Sequence, residues 1–255
     1  MNMKNLSLCL LVFSIFLMPL LTAEAKTGSR EYYENQGQVI WDFPTDQKVV
    51  AITFDDGPHP LLTPQILKIL AKYDAKATFF VAGNKVERFP EVLARVAKEG
   101  HEIGNHTYSH IYSGEITEEK LTEELRKTDD LIRKYTGIET TLYRPVGGLY
   151  NDRIIHTAVK NGKLVVLWSW RQDPKDWRNP PAANIVSTIK TGLAPGNIIL
   201  FHDWIGDDTT ATSQTVAAFG QLMEYLHKNG YRCVTVSELM YRAKYSVPDY
   251  FEPTD

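Results

Sequence analysis

Residues 48–81, KVVAITFDDGPHPLLTPQILKILAKYDAKATFFV, contain the unit from which the rest of the chain is built. Val49 to Phe54 is a short apolar run rich in β-branched residues, and Gly57-Pro58 stops it. From Thr63 to Lys72 the apolar residues return at helical spacing, and Ala77 to Val81 is again short, apolar and β-rich. The same alternation continues outward. Helical stretches fall at Val86–Lys98, Glu118–Tyr135, Asp152–Lys160, Ala182–Thr191 and Ser213–Lys228. Strand signals fall at Glu102–Asn105, Leu142–Arg144, Leu164–Trp170, Ile198–His202 and Cys233–Val236. Seven strands separated by helices predict an α/β fold, either a parallel barrel or a doubly wound sheet. In both, chemistry belongs at the C-terminal ends of the strands.

Ahead of this unit, Met1 to Lys4, the apolar run Leu6–Leu21 and Thr22-Ala23-Glu24-Ala25 have the three parts of a secretory signal. Cleavage is expected after Ala25, giving a secreted or cell-wall protein with no stable membrane span. Residues 26–47 are polar, carry Gly28, Gly37 and Pro44 and show no clear period, so they read as a leader lying on or beside the domain. Residues 48–245 form one catalytic domain, and 246–255 a C-terminal tail. Cys233 is the only cysteine after the signal, so no internal disulfide is available. A formal charge of −3 with mixed signs offers no basic face for nucleic acid. The runs Glu118-Glu119 and Glu123-Glu124 read as solvated helix faces.

Polar residues gather where the strands end. Asp55-Asp56-Gly57-Pro58 closes the first strand, and neighbouring carboxylates on a turning backbone can take two roles, one holding a metal and one acting as a base. His106 and His110 follow the third strand; two imidazoles and a carboxylate form a ligand set for an open catalytic zinc. Arg144-Pro145, Asp173 to Trp177 and Leu200 to Asp203 close later strands. Taken singly, these would equally serve as a surface ion pair, a helix cap and a structural His-Asp pair.

Taken in order, the five segments resemble the motifs of the polysaccharide deacetylases, carbohydrate esterase family four, also called the nodulation-type chitooligosaccharide deacetylase domain. The resemblance runs from about Lys48 to Leu239. It implies a distorted, incomplete (β/α)7 barrel and an enzyme that removes N-acetyl groups from amino sugars of peptidoglycan or a chitin-like polymer. By the same resemblance Asp55 is the general base, and Asp56, His106 and His110 hold a divalent ion, zinc or another such as cobalt. His202 is the general acid and Arg144 orients Asp55. Asp176 positions or balances both Arg144 and His202, with Asp173 as a possible helper. Trp177 and Leu200 wall the pocket for the acetyl methyl, and the backbone N–H of Gly147 faces the oxyanion. An O-acetyl xylan esterase using the same site, or a cell-wall-binding protein with an impaired site, are the alternatives. The partner is an N-acetylated polysaccharide, and a monomer is expected.

One motif departs from the family. Where relatives run Arg-Pro-Pro-Tyr-Gly, this chain has Arg144-Pro145-Val146-Gly147-Gly148, which predicts a wider rim suited to a crowded sugar such as MurNAc. The loop Trp204–Ser213 is expected either to shape the groove or only to connect elements. Trp168 and Trp170 read as core aromatics on one strand face. His59 has no assigned role beside the first motif, and His101, His156 and His227 read as surface or strand-edge residues.

Overall fold

The computed structural model describes residues 28–112 and 116–245; the expected signal sequence 1–25 and the tail 246–255 lie outside these described residues. The chain runs α1 (Arg30–Asn35), β1 (Val39–Ile40), β2 (Val49–Asp55), α2 (Leu62–Lys72), β3 (Thr78–Val81), α3 (Gly83–Arg88), α4 (Pro90–Lys98), β4 (Glu102–Asn105), α5 (Glu118–Thr136) and β5 (Leu142–Tyr143). It continues through α6 (Asp152–Lys160), β6 (Leu164–Val166), α7 (Ala182–Gly192), β7 (Ile198–His202), α8 (Gln214–Lys228), β8 (Arg232–Val234) and α9 (Val236–Tyr245). Every named strand pair is parallel, in the order β1-β6-β5-β4-β3-β2-β7, with β8 paired to the first half of β2. The seven strands read from the sequence all form. The eighth, β1, comes from the stretch that shows no period: two residues paired to β6 are too short to carry one.

The sheet curls but does not close, because β1 and β7 end the path without pairing. Loops span the gap instead. Phe43 N–H donates to Gly196 O, Ser169 N–H donates to Ile198 O, and an isolated antiparallel bridge joins Asp42 to Asn197. This is the distorted, incomplete barrel that the family resemblance implies.

Strand alternation divides the core. On β2, Val50, Ile52 and Phe54 face the helix layer and pack with Leu67, Phe79, Phe201 and Phe219. Val49 and Ala51 face the barrel interior with Phe80, Leu142, Val166 and Ile198. The interior set continues along β2 as Thr53 and Asp55, so the last inward position of the strand is a carboxylate. On α5 the residues Leu121, Glu124, Leu125, Thr128 and Ile132 recur at helical spacing and are buried together. Glu124, unlike the solvated residue expected, therefore lies on the packed face. Thr117 caps this helix at its start, accepting from Lys120 N–H, and Gly137 ends it in the left-handed region.

Candidate active site

The parallel register of β2 and β7 sets Asp55 beside His202, each the last residue of its strand. Asp55 points into the barrel because its strand alternates that way. One residue later Asp56 adopts a φ of +79°, and this left-handed turn aims the second carboxylate at the two imidazoles. Asp56 Oδ1 lies 2.9 Å from His110 Nε2 and 3.3 Å from His106 Nε2. One ligand atom from each of the three residues falls within 4.8 Å of the others.

The loop holding the imidazoles is built for that convergence. Thr107 and His110 also sit at positive φ, +66° and +54°, conformations that persist only where surrounding contacts enforce them. Those contacts come from three sides. Asn105 Oδ1 accepts from Thr107 N–H, and one oxygen of buried Glu124 accepts from Tyr108 N–H, Ser109 N–H and the Ser109 hydroxyl. His106 Nδ1 donates to Arg144 O at 2.7 Å, which leaves Nε2 to act as a ligand. Asp56, His106 and His110 thus fit one divalent cation, with His110 one-third exposed on the open side. Burial pushes the Asp56 carboxyl up, but hydrogen bonds from His106 and His110 and the charges of His202 and His106 outweigh it and hold it far below the usual carboxylate range. Burial lowers His106, while Asp55 and Asp56 raise it by more.

Arg144 ties the other half together. It is fully buried, with its guanidinium 4.1 Å above the Phe80 ring. Its Nη1 donates to Asp55 Oδ1 and to Thr53 Oγ1, both at 2.7 Å, while Nε and Nη2 donate to Val166 O and Leu167 O. All these bonds are satisfied without Asp176. The expected contact of Asp176 with Arg144 is not formed, and Asp176 serves His202 alone of the two. Its Oδ1 accepts from His202 Nδ1 at 2.8 Å; its Oδ2 accepts from His202 N–H and from the Thr215 hydroxyl. Burial lowers the His202 pKa, but Asp176, with Asp56 and Asp55 behind it, carries it up to about 10. Asp173 caps its own turn, accepting from Lys175 N–H and Nζ, and its charge also favours the protonated form of Arg144 without touching it.

Asp55, Asp56, His106, His110, Gly147, Trp177, Leu200 and His202 all line one cleft of about 290 Å³. Arg144 and Asp176 stand behind it as supports. Tyr112, Trp168, Asp173 and Lys175 line it too. Tyr112 corrects one expectation. Gly147 sits at φ +64°, and a Cβ there would lie 3.3 Å from the Tyr112 ring, so the rim keeps an aromatic, supplied from the loop after His110. Nothing in the linear pattern marks Tyr112, whereas Glu124 is marked by its place on the apolar stripe of α5.

Other residues depart from their readings. Trp170 is 81% exposed, because β6 ends at Val166 and the chain turns before reaching it. His101 is buried, and burial together with Lys76 holds its pKa down to about 4. His59 is also buried: its Nδ1 accepts from Leu61 and Leu62 N–H, its Nε2 meets Asp207 O, and its ring meets Trp204 at 4.7 Å. Trp204 in turn lies 3.2 Å below Lys85 Nζ, and Asp208 pairs with Arg88. The loop Trp204–Ser213 is therefore clamped onto α2 and α3, and none of its residues lines the cleft.

Fold and site together define a class: an open parallel-barrel hydrolase with a three-ligand donor set, a carboxylate and an imidazolium around one cleft. Residues 42–166 match the family model for polysaccharide deacetylases. A peptidoglycan-N-acetylglucosamine deacetylase of Bacillus cereus is 46% identical over 211 residues, covering 83% of this chain and 97% of its own. Among solved structures, the peptidoglycan N-acetylglucosamine deacetylase Bc1960 superposes with a TM-score of 0.76 at 30% identity, over 83% of this chain and 97% of that one. A family 4 acetyl xylan esterase from Clostridium thermocellum, solved with a cobalt ion, gives 0.68 at 31% identity over 79% and 93%. The chain belongs to the polysaccharide deacetylase family.

Proposed function

We propose that the protein is an exported, zinc-dependent N-deacetylase of a cell-wall polysaccharide, with peptidoglycan as its polymer. The observation that carries this reading is the pairing of Arg144-bound Asp55 with Asp176-bound His202 beside the Asp56, His106 and His110 donor set. The Bacillus cereus relative, named for peptidoglycan N-acetylglucosamine, supports the choice of polymer.

Amide hydrolysis needs an activated water, a stabilised oxyanion and a proton for the departing amine. Asp56, His106 and His110 would hold a divalent cation, which when bound would supply Lewis acidity and lower the pKa of water. Asp55, with one oxygen fixed by Arg144, takes a proton from the attacking water through the other. The Gly147 N–H faces the oxyanion, and Trp177 and Leu200 receive the acetyl methyl. His202, held as imidazolium by Asp176, protonates the sugar nitrogen as the C–N bond breaks, releasing acetate and a free amine. No covalent acyl-enzyme is needed.

The test is acetate release from peptidoglycan, chitin oligomers and acetylated xylan side by side, with metal analysis of wild type and His106→Ala. Acetate from N-acetylated glycans, with one metal per chain lost in the variant, is expected. Turnover of xylan alone would make the protein an O-acetyl esterase, and undiminished metal in the variant would overturn the ligand assignment.

A further inference from the structure

The cleft does not end at Trp168. Trp168, Asp173 and Lys175 also line a neighbouring groove of about 560 Å³, whose other walls include Trp41, Tyr150, Trp170 and Arg171. Four aromatic rings border it, and the outermost, Trp170, is 81% exposed. A large apolar ring left in water is unfavourable by itself, and this one is not on a loose segment. On one side buried Ser169 donates its hydroxyl to Trp41 O, accepts from Ile198 N–H, and donates its own N–H to Ile198 O. On the other, the side-chain amide of buried Gln172 donates to Ile189 O, and its backbone carbonyl accepts from Leu200 N–H. Arg171 between them takes a φ of +65°. The turn is pinned at both ends and presents Trp170 outward, a rigid arrangement that costs a ligand little ordering entropy.

The inner wall is equally shaped. The Trp168 indole packs against Gly148, where a Cβ would come within 2.5 Å of the ring. Glycine at 148 therefore lets this indole stand between the two depressions. Trp41 and Tyr150 meet edge to face at 5.7 Å, with Arg30 stacked 5.3 Å from Trp41. Arg30 and Lys175 pair with acids, whereas Arg171 has no acidic partner among the described residues. Aromatic faces flanked by hydrogen-bond donors match a pyranose, which has apolar C–H faces and a polar equator.

Resting on the deacetylase reading, we infer that this groove is a second saccharide subsite, holding the sugar next in the glycan chain to the one whose acetyl group enters the catalytic cleft, with Trp170 as its stacking platform. Its consequence is a preference for oligomers over single sugars. N-Acetylglucosamine oligomers of one to six units should be turned over by the wild type with kcat/KM rising with length. Trp170→Ala should lose about two- to twelvefold on the long oligomers, through KM, the range of one aromatic contact. Trp170→Phe should recover part of it. Hydrolysis of 4-nitrophenyl acetate, which reaches only the cleft, should be unchanged by either substitution. A length dependence identical in wild type and Trp170→Ala overturns the proposal. Calorimetric binding of the hexamer to the same proteins tests the groove even if no acetate is released: equal affinity in Trp170→Ala refutes the subsite, while weaker binding in the variant with no acetate released from the hexamer or from peptidoglycan refutes the deacetylase reading alone.

Discussion

Replacing Asp176 with Asn removes the charge that holds His202 protonated while keeping the side chain's shape. The carboxylate accepts three hydrogen bonds, from His202 Nδ1, His202 N–H and the Thr215 hydroxyl. An amide cannot accept all three as placed, because its NH2 group must face at least one donor. The readiest relief is for imidazole to give up its Nδ1 proton and accept there instead. The rise of His202 from 6.5 to about 10 corresponds to about 5 kcal/mol favouring the imidazolium, at 1.36 kcal/mol per tenfold. If all of it were lost, His202 at pH 8 would be about thirtyfold less protonated. Asp55 and Asp56 still raise the pKa and burial still lowers it, so thirtyfold sets the order of magnitude of the loss. The assay is kcat/KM against pH on an N-acetylated oligomer. The alkaline limb should move from about 10 towards neutrality, rates should converge below about pH 6, and metal content should stay unchanged. Profiles that superimpose would mean that His202 is not the acid, or that Asp176 does not control it.

Stability should follow the same pair: a raised His pKa contributes fully below 6.5 and is lost as pH rises through about 10, so Tm of the wild type should fall across that window and that of Asp176→Asn should fall less. His101 runs the other way. Its pKa of about 4 means stability present above 6.5 and lost as pH falls towards 4, about 3 kcal/mol in total; a His101→Gln protein whose acid melting matched the wild type would refute this. Glu124→Ala should free the Tyr108-Ser109 turn and weaken binding of a divalent metal about ten- to hundredfold, measured by competition with a chelator, as losses of ligand-supporting residues do. Tyr112→Ala should raise KM for glycans, and Gly147→Tyr alone should do harm, since φ +64° disfavours a side chain and the Tyr112 ring fills the space; joining the two substitutions should relieve the clash but not the backbone strain, a difference visible in thermal melts.

The parts of this site legible in sequence are those fixed by strand alternation and strand ends. Val50, Ile52 and Phe54 on one face and Thr53 and Asp55 on the other follow from a period of two, and Asp55, Arg144 and His202 follow from where strands stop. What escapes the pattern depends on contacts between distant segments. β1 is two residues long and exists because β6 offers it an edge. Tyr112 reaches Gly147 across 35 positions through the path of a loop. Trp170 reads as strand because it follows the apolar run Leu164–Trp168, yet Ser169 and Gln172 are pulled to β7 and turn the chain out. Glu124 was readable: it occupies a position three residues after Leu121 and four before Thr128, on the stripe that packs.

The buried Arg144 ties the persistence of catalysis to the persistence of the fold. Its charge has one counter-charge in direct contact, Asp55, and both are shielded from water. A lineage that lost Asp55 to a neutral residue would keep a buried cation with no contacting counter-charge and only the more distant Asp173 to offset it, a loss of up to about 3–5 kcal/mol. Drift therefore has no gentle route away from this base. A descendant that gave up the chemistry would have to change Arg144 as well, or find a new anion for it, so an intact Arg144 in such a chain would point to a replacement acid nearby.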